Sequence, residues 1–328
     1  MRARPKSNVS TSQGSKLGEY WNGPMMRGFR RAMAKGPPIA PCKASCPYLR
    51  GGTEAPSTVP LFGGAEAFVE REIALVDDML QGREEVRGGP LKVSFTTTTY
   101  CNYDCLMCSY GEVGSLDDEL QRGFYDDLMT FAPGLRMIEA LGGEPLASPV
   151  FREFLAGFEF ERHPAMRVAL ITNGSYLTPK EQRRYRRVPF DNLTVSLNAA
   201  TPDTYLAVNR GLSWERVREN LDELLRRRRE GELRASISYS MVILRRNLSE
   251  IRAFAELARR DGVGYRYLLP NKNRNDQSIL TSRDTMTEAL SALEDVLADA
   301  WSRGDNRAIK SLLGEVRALE HHLANAPR

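Results

Sequence analysis

The sequence predicts an α/β fold: a partial (β/α)6 TIM-like barrel with helical extensions at its N- and C-terminal ends. Three observations lead there. From residue 91 onward, short apolar runs alternate with amphipathic runs. There are six such units, which implies a parallel sheet wound into a barrel or part of one. The stretches on either side of residues 91–270 are helical in pattern instead.

The strand candidates are Leu91–Thr97, Leu135–Ala140, Arg167–Thr172, Asn192–Asn198, Ala235–Ile243 and Gly264–Leu269. Each has a β-branched or aliphatic core of about 4–8 residues, the usual strand length. Helical patterns lie between them, over Asp117–Met129, Val150–Gly157, Pro179–Arg186, Ser213–Arg228 and Leu248–Arg260. Ser213 is placed to cap its helix, and Gly262 follows the end of the last one. Ahead of the sheet, Tyr20–Lys35 reads as a helix stopped by Gly36-Pro37-Pro38, and Ala65–Leu80 reads as a second. Behind it, a polar loop leads to amphipathic helices over Asp284–Trp301 and Asn306–Ala324. The expected organisation is a disordered leader over 1–19, a helical extension over 20–90, the barrel over 91–270 and a second helical extension over 271–328.

Composition narrows the function. Of 328 residues 41% are hydrophobic and 27% charged, the range of a soluble globular chain. No apolar run approaches the roughly 20 residues that span a bilayer. The basic, polar N-terminus lacks the apolar core of a secretory signal. A cytoplasmic protein with no membrane partner is expected. Net charge is only +4, and the run Arg226–Arg229 closes a helix whose other face carries Val217, Leu221, Leu224 and Leu225. Cations complement a helix C-terminus, so that run reads as a solvated face, and no nucleic-acid partner is expected.

The five cysteines are Cys42, Cys46, Cys101, Cys105 and Cys108. An odd number in two tight clusters, without a secretory signal, points to metal rather than to a disulfide framework. Cys101, Cys105 and Cys108 form C-x3-C-x2-C directly after the first strand, on the end of a barrel where active sites lie. Three thiolates can ligate three irons of a cubane and leave the fourth open to bind and activate a small molecule. The competing reading is zinc, which needs four ligands. The chain has only His163, His321 and His322, none near the loop in sequence, although a remote cysteine could complete such a site.

Other residues at strand ends suit a ligand. Gly142 and Gly143 let backbone approach it closely. Glu144 offers a carboxylate to an ammonium group, or caps the next helix. Ser196 and Asn198 alternate along a strand and so face one side, where a ribose or buried water would satisfy them. Arg210 either pairs with a carboxylate or lies on the surface.

In this order the motifs resemble the radical SAM (S-adenosylmethionine) superfamily signature. The cysteine motif comes first. Leu141-Gly142-Gly143-Glu144-Pro145-Leu146 matches the GGEP segment, and Ile171-Thr172-Asn173-Gly174 the TNG segment. Ser196-Leu197-Asn198-Ala199-Ala200 resembles the segment that contacts the SAM ribose and carboxylate, and Asn209-Arg210-Gly211 is also typical. The resemblance covers roughly residues 91–270. It implies a [4Fe–4S] cluster on Cys101, Cys105 and Cys108. It implies SAM contacts from Met107, Gly142, Gly143, Glu144, Pro145, Asn173, Ser196, Asn198, Arg210 and Leu268. Met107 stands where an aromatic residue is common, and a soft apolar side chain packs adenine equally well. The implied reaction takes one electron from a donor such as flavodoxin or ferredoxin through the cluster to SAM. SAM then cleaves to methionine and a 5′-deoxyadenosyl radical, which takes hydrogen from a substrate.

The segment from Trp21-Asn22-Gly23-Pro24 to Cys42 and Cys46 resembles the closing part of a SPASM domain, here ahead of the barrel and without the other SPASM cysteines. Cys42 and Cys46 are thus half of a second cluster, free thiols, or a hydrogen donor. The substrate expected is a sugar or small metabolite undergoing oxidation, epimerisation or rearrangement. The alternatives are a ribosomally made peptide and, in another class, a non-catalytic iron–sulfur or zinc scaffold.

Overall fold

Strand alternation separates an apolar face from a polar one, and the sheet is built on that difference. In Ser236–Val242 (β7) the side chains of Ile237, Tyr239 and Met241 share one buried face, while Ser236, Ser238 and Ser240 share the other. Phe190–Ser196 (β5) divides in the same way, with Leu193 and Val195 opposite Asn192, Thr194 and Ser196. The remaining long strands are Lys92–Thr96 (β1), Met137–Leu141 (β3), Arg167–Thr172 (β4) and Gly264–Leu268 (β8). These elements come from a computed structural model that describes residues 17–34, 70–108, 110, 114–211, 213–271 and 274–326.

The six strands form one sheet in the order β1-β3-β4-β5-β7-β8, parallel throughout the registered pairs. β1 and β8 are the two edges, so the barrel is partial and open. Helices pack on the apolar face. Phe151 of helix Pro149–Gly157 meets Phe95 of β1 edge-to-face at 6.2 Å. Phe254 of helix Ile251–Arg260 meets Tyr267 of β8 at 5.7 Å. Burial of such side chains contributes roughly 1.5–3 kcal/mol each.

Contacts divide the chain into two units. The first takes in residues 1–93, 120–138 and 159–167. There Trp21 donates its indole N–H to the Gly88 carbonyl at 2.8 Å and lies under Arg30 at 4.5 Å. The second unit holds residues 94–119, 139–158 and 168–328. Its last two helices, Arg283–Ser302 and Asn306–Asn325, pack on each other, and the second also packs on β8.

Several expected elements are shifted. The helix expected over Tyr20–Lys35 is two helices, Leu17–Trp21 and Pro24–Ala34, the first starting inside the stretch expected as leader. Pro24 has no N–H to continue the first helix and suits the first turn of the second. The helix expected over Asp117–Met129 begins only at Arg122. Asp118 instead accepts the Thr99 N–H at 3.0 Å, and this tertiary bond overrides local helix preference. β5 ends at Ser196, and Asn198 takes a left-handed conformation with φ 58°. It therefore does not continue the alternation from Ser196. Residues 1–16 and 35–69, including Cys42 and Cys46, lie outside the described residues. No described helix is long and apolar enough to cross a membrane.

Candidate active site

The loop after β1 is held to the chain before any of its cysteines is considered. Gly143 donates to the Thr98 carbonyl at 2.9 Å, Glu144 to the Tyr100 carbonyl at 2.8 Å and Leu106 to the Val208 carbonyl at 3.0 Å. The two glycines are needed for this packing. A Cβ on Gly142 would lie 2.5 Å from the Thr98 oxygen, and one on Gly143 would lie 2.1 Å from the Tyr100 oxygen. Gly142 also has φ 138°. The two glycines thus allow the cysteine loop to lie directly against this turn.

A two-stranded antiparallel ribbon clamps the other end. Asp104–Cys105 (β2) pairs with Asn209–Arg210 (β6), Asp104 opposite Arg210 and Cys105 opposite Asn209. Arg210 lies 3.4 Å from Asp104 in an exposed ion pair. Beneath, the hydroxyls of Tyr103 and Tyr205 are hydrogen-bonded at 2.8 Å in a buried contact.

Cys101, Cys105 and Cys108 are half-buried free thiols. The Cys101 sulfur accepts the Tyr103 N–H at 3.4 Å and the Asn173 amide at 3.8 Å. The Cys108 sulfur accepts the Tyr110 N–H at 3.4 Å, and Cys105 donates to the Asn209 side-chain oxygen at 3.5 Å. Burial pushes the Cys101 thiol up to about 11 and raises Cys105 as well. Such thiols are poor nucleophiles at neutral pH, and only a bound cation would hold them as thiolates. Among the described residues no group of three or more His, Cys, Asp or Glu side chains is placed to hold a single metal ion. A lone zinc ion needs ligands converging on one point, whereas a cubane takes each thiolate on a different iron. The donor set therefore fits a three-cysteine cluster better than zinc.

Glu144 is fully buried. Its carboxyl accepts from the Leu146 N–H at 3.1 Å, the Thr172 hydroxyl at 2.7 Å and the Asn173 N–H at 2.7 Å. It does cap the turn Pro145–Ala147, as its alternative role required. Three donors leave one of about four acceptor positions for a further cation. Burial raises its pKa to about 7, against these hydrogen bonds.

The other expected contacts are dispersed around this centre. Ser196 faces the polar side of the sheet, 3.5 Å from the Ser240 hydroxyl. Met107 packs on Leu106, Val208 and Leu244. Leu268 ends β8 on the polar side, half-buried. Asn173 donates to the Asn102 side chain at 3.0 Å. Asn198 donates to Asn209 at 2.9 Å and accepts the Val242 N–H at 3.0 Å, so both ends of its amide are engaged within the chain. Sequence reasoning named Asn209 only within Asn209-Arg210-Gly211 and gave it no role. Fully buried, it also donates to the Leu197 carbonyl at 2.6 Å and joins the end of β5 to the cysteine loop.

A family model described as the radical SAM superfamily matches residues 95–258, half of the chain. The chain belongs to the radical SAM superfamily. The cofactors that this family implies are a [4Fe–4S] cluster and SAM. This radical SAM chain is 28% identical over 202 residues to the AdoMet-dependent heme synthase of Methanosarcina barkeri, covering 58% of the chain and 53% of that protein. It is 26% identical over 195 residues to the mycofactocin maturase MftC of Mycobacterium tuberculosis, covering 58% and 47%. It thus spans about half the length of these curated relatives. A solved structure, native anSMEcpe with bound AdoMet and the Cp18Cys peptide, superposes with a TM-score of 0.52 at 17% identity. That match covers 66% of this chain and 62% of the other, and shows the shared fold.

Proposed function

We propose that this radical SAM chain is an enzyme that holds its cluster on Cys101, Cys105 and Cys108 and SAM beside it, and takes hydrogen from a small polar metabolite. When bound, the pair supplies one-electron reductive cleavage of SAM and hydrogen-atom abstraction. The observation that carries the reading is the clamped cysteine loop, in which the Cys101 and Cys108 sulfurs each accept a backbone N–H and which rests on the turn that buries Glu144. N–H groups directed at sulfur favour the thiolate and tune a cluster. The one free acceptor position of Glu144 suits the ammonium group of SAM. Ser196 offers a hydroxyl to the ribose, and Leu268 and Met107 offer apolar contact to adenine. Arg210 pairs with Asp104 of the cysteine loop and Asn198 bonds Asn209, which pairs with Cys105, so both are read as positioning that loop. A metabolite as substrate is supported by the polar face of the sheet, where Ser94 donates to Glu139 at 2.6 Å and Ser196, Ser238 and Ser240 stand in adjacent strands. Oxidation, epimerisation and rearrangement all begin with this abstraction.

A peptide is the second reading, favoured by the likeness to anSMEcpe, which was solved with a peptide bound.

The test is 5′-deoxyadenosine release from SAM by the anaerobically reconstituted protein under dithionite. Wild type is expected to release it, and Cys101→Ala, Cys105→Ala and Cys108→Ala each to release none and to lose cluster iron. Full iron content in the triple variant would sink the assignment.

A further inference from the structure

The polar face of the sheet borders a cavity of about 170 Å³, open to solvent on the side of Arg307, that no step above uses. It lies between β5, β7 and β8 and the first turns of helix Asn306–Asn325. Thr194 and Ser238 line it with hydroxyls 3.2 Å apart. Two guanidinium groups, Arg266 and Arg307, line it as well. The Arg266 Nε is buried and has no hydrogen-bond partner among the described residues. A buried cationic donor left without a partner is costly, and such a group is retained where something else pairs with it. Ser311 adds a third hydroxyl from the helix.

Glu139 and Glu315 offset part of the Arg266 charge, but among the described residues no acid hydrogen-bonds its Nε. Asp305 also lines the cavity and caps the helix, its carboxylate accepting the Ala308 N–H at 3.0 Å, so it sets a negative charge at one side of the site. Glu139 and Glu315 act on Arg266 through space, and Glu315 accepts the backbone N–H of Leu269. The helix that starts here spans twenty residues, so its first turn adds partial positive charge.

Register fixes the depth. Ser196, Ser240 and Arg266 form one row across β5, β7 and β8, and Thr194, Ser238 and Gly264 form the next row down. Two residues along a strand are about 7 Å. The cavity therefore lies one layer beneath Ser196.

We propose that this cavity is an oxyanion subsite in which Arg266 and Arg307 hold a phosphate or carboxylate group of the substrate. Guanidinium groups bind both anions through paired N–H donors, and the hydroxyls complete the shell. A substrate anchored there would present its body to the level of Ser196. That placement rests on the cofactor reading above, whereas anion binding does not.

The experiment titrates the full reconstituted chain with inorganic phosphate and, separately, with acetate by calorimetry, and with SAM in parallel. Wild type is expected to bind at least one of the anions saturably. Arg266→Gln should weaken it tenfold or more, Arg307→Gln by less, and Glu139→Gln should tighten it by removing a nearby negative charge. Preference for phosphate identifies phosphorylated substrates, and preference for acetate identifies carboxylates. Should Arg266→Gln fail to fold, Arg307→Gln and Glu139→Gln carry the test, since a purely structural arginine would leave both unmoved. Equal affinity across the variants means an adventitious ion only and overturns the subsite, as does no saturable binding of either anion. Failure of wild type to bind SAM strikes the cofactor reading alone. Normal SAM binding without anion binding strikes the subsite alone.

Discussion

The Glu144 carboxyl is buried among three donors, yet its pKa lies near 7 rather than at the ordinary 4.5. Burial disfavours its charged form more than the hydrogen bonds favour it. The sign follows from the raised value. Its contribution to folding is fully present below about 4.5 and is lost as pH rises through about 7. A bound ammonium would reverse this preference. SAM affinity is therefore expected to rise several-fold between pH 6 and about 7.5, since a charge-assisted bond is worth about 1.5–3 kcal/mol. Equilibrium dialysis would show it, and Glu144→Gln should bind more weakly with no such slope. An identical slope in the variant would refute the role. Next to it, Gly143→Ala should cost about 1–3 kcal/mol, because the new Cβ meets a carbonyl held in place rather than a flexible tip. Chemical denaturation measures this directly.

At the scale of elements, the ribbon of β2 and β6 is two residues long on each side. It depends on Asn209, which joins Asn198, the Leu197 carbonyl and Cys105. Asn209→Ala leaves buried partners unsatisfied, at about 1–3 kcal/mol. It is expected to lower the thermal midpoint and to speed iron loss to a chelator, and an unchanged rate of iron loss would show that the ribbon does not hold the cysteines. This ribbon was invisible in the sequence, because two-residue strands have no periodicity and their pairing joins distant segments. The six long strands were legible because their outer faces repeat every second residue against the helices. The cysteine spacing was legible for a similar reason, since residues that share one loop are adjacent in sequence. The helix over Asp117–Met129 was misplaced because Asp118 looks like an ordinary helix-start acid, and nothing local reveals its bond to Thr99. The sequence shows that Gly142 and Gly143 permit a close approach, but not that the cysteine loop is a backbone that comes close.

For the whole molecule, the unit of residues 94–119, 139–158 and 168–328 contains every site residue described above. Its C-terminal helices belong to the same core as the sheet, and Leu293 and Leu319 are fully buried there. Leu319→Ala is expected to cost about 2–5 kcal/mol, and urea denaturation would report it; a loss under 1 kcal/mol would mean that this helix packs loosely. The cysteine loop has a further consequence at this scale. Its backbone is bonded at Thr98, Tyr100 and Leu106 by the chain alone. These bonds run within the chain, so the loop is expected to keep its fold when metal is chelated, unlike small zinc domains that fold only around their metal. Oxygen could strip the cluster and leave the scaffold standing, so that repair would be a matter of reloading rather than refolding.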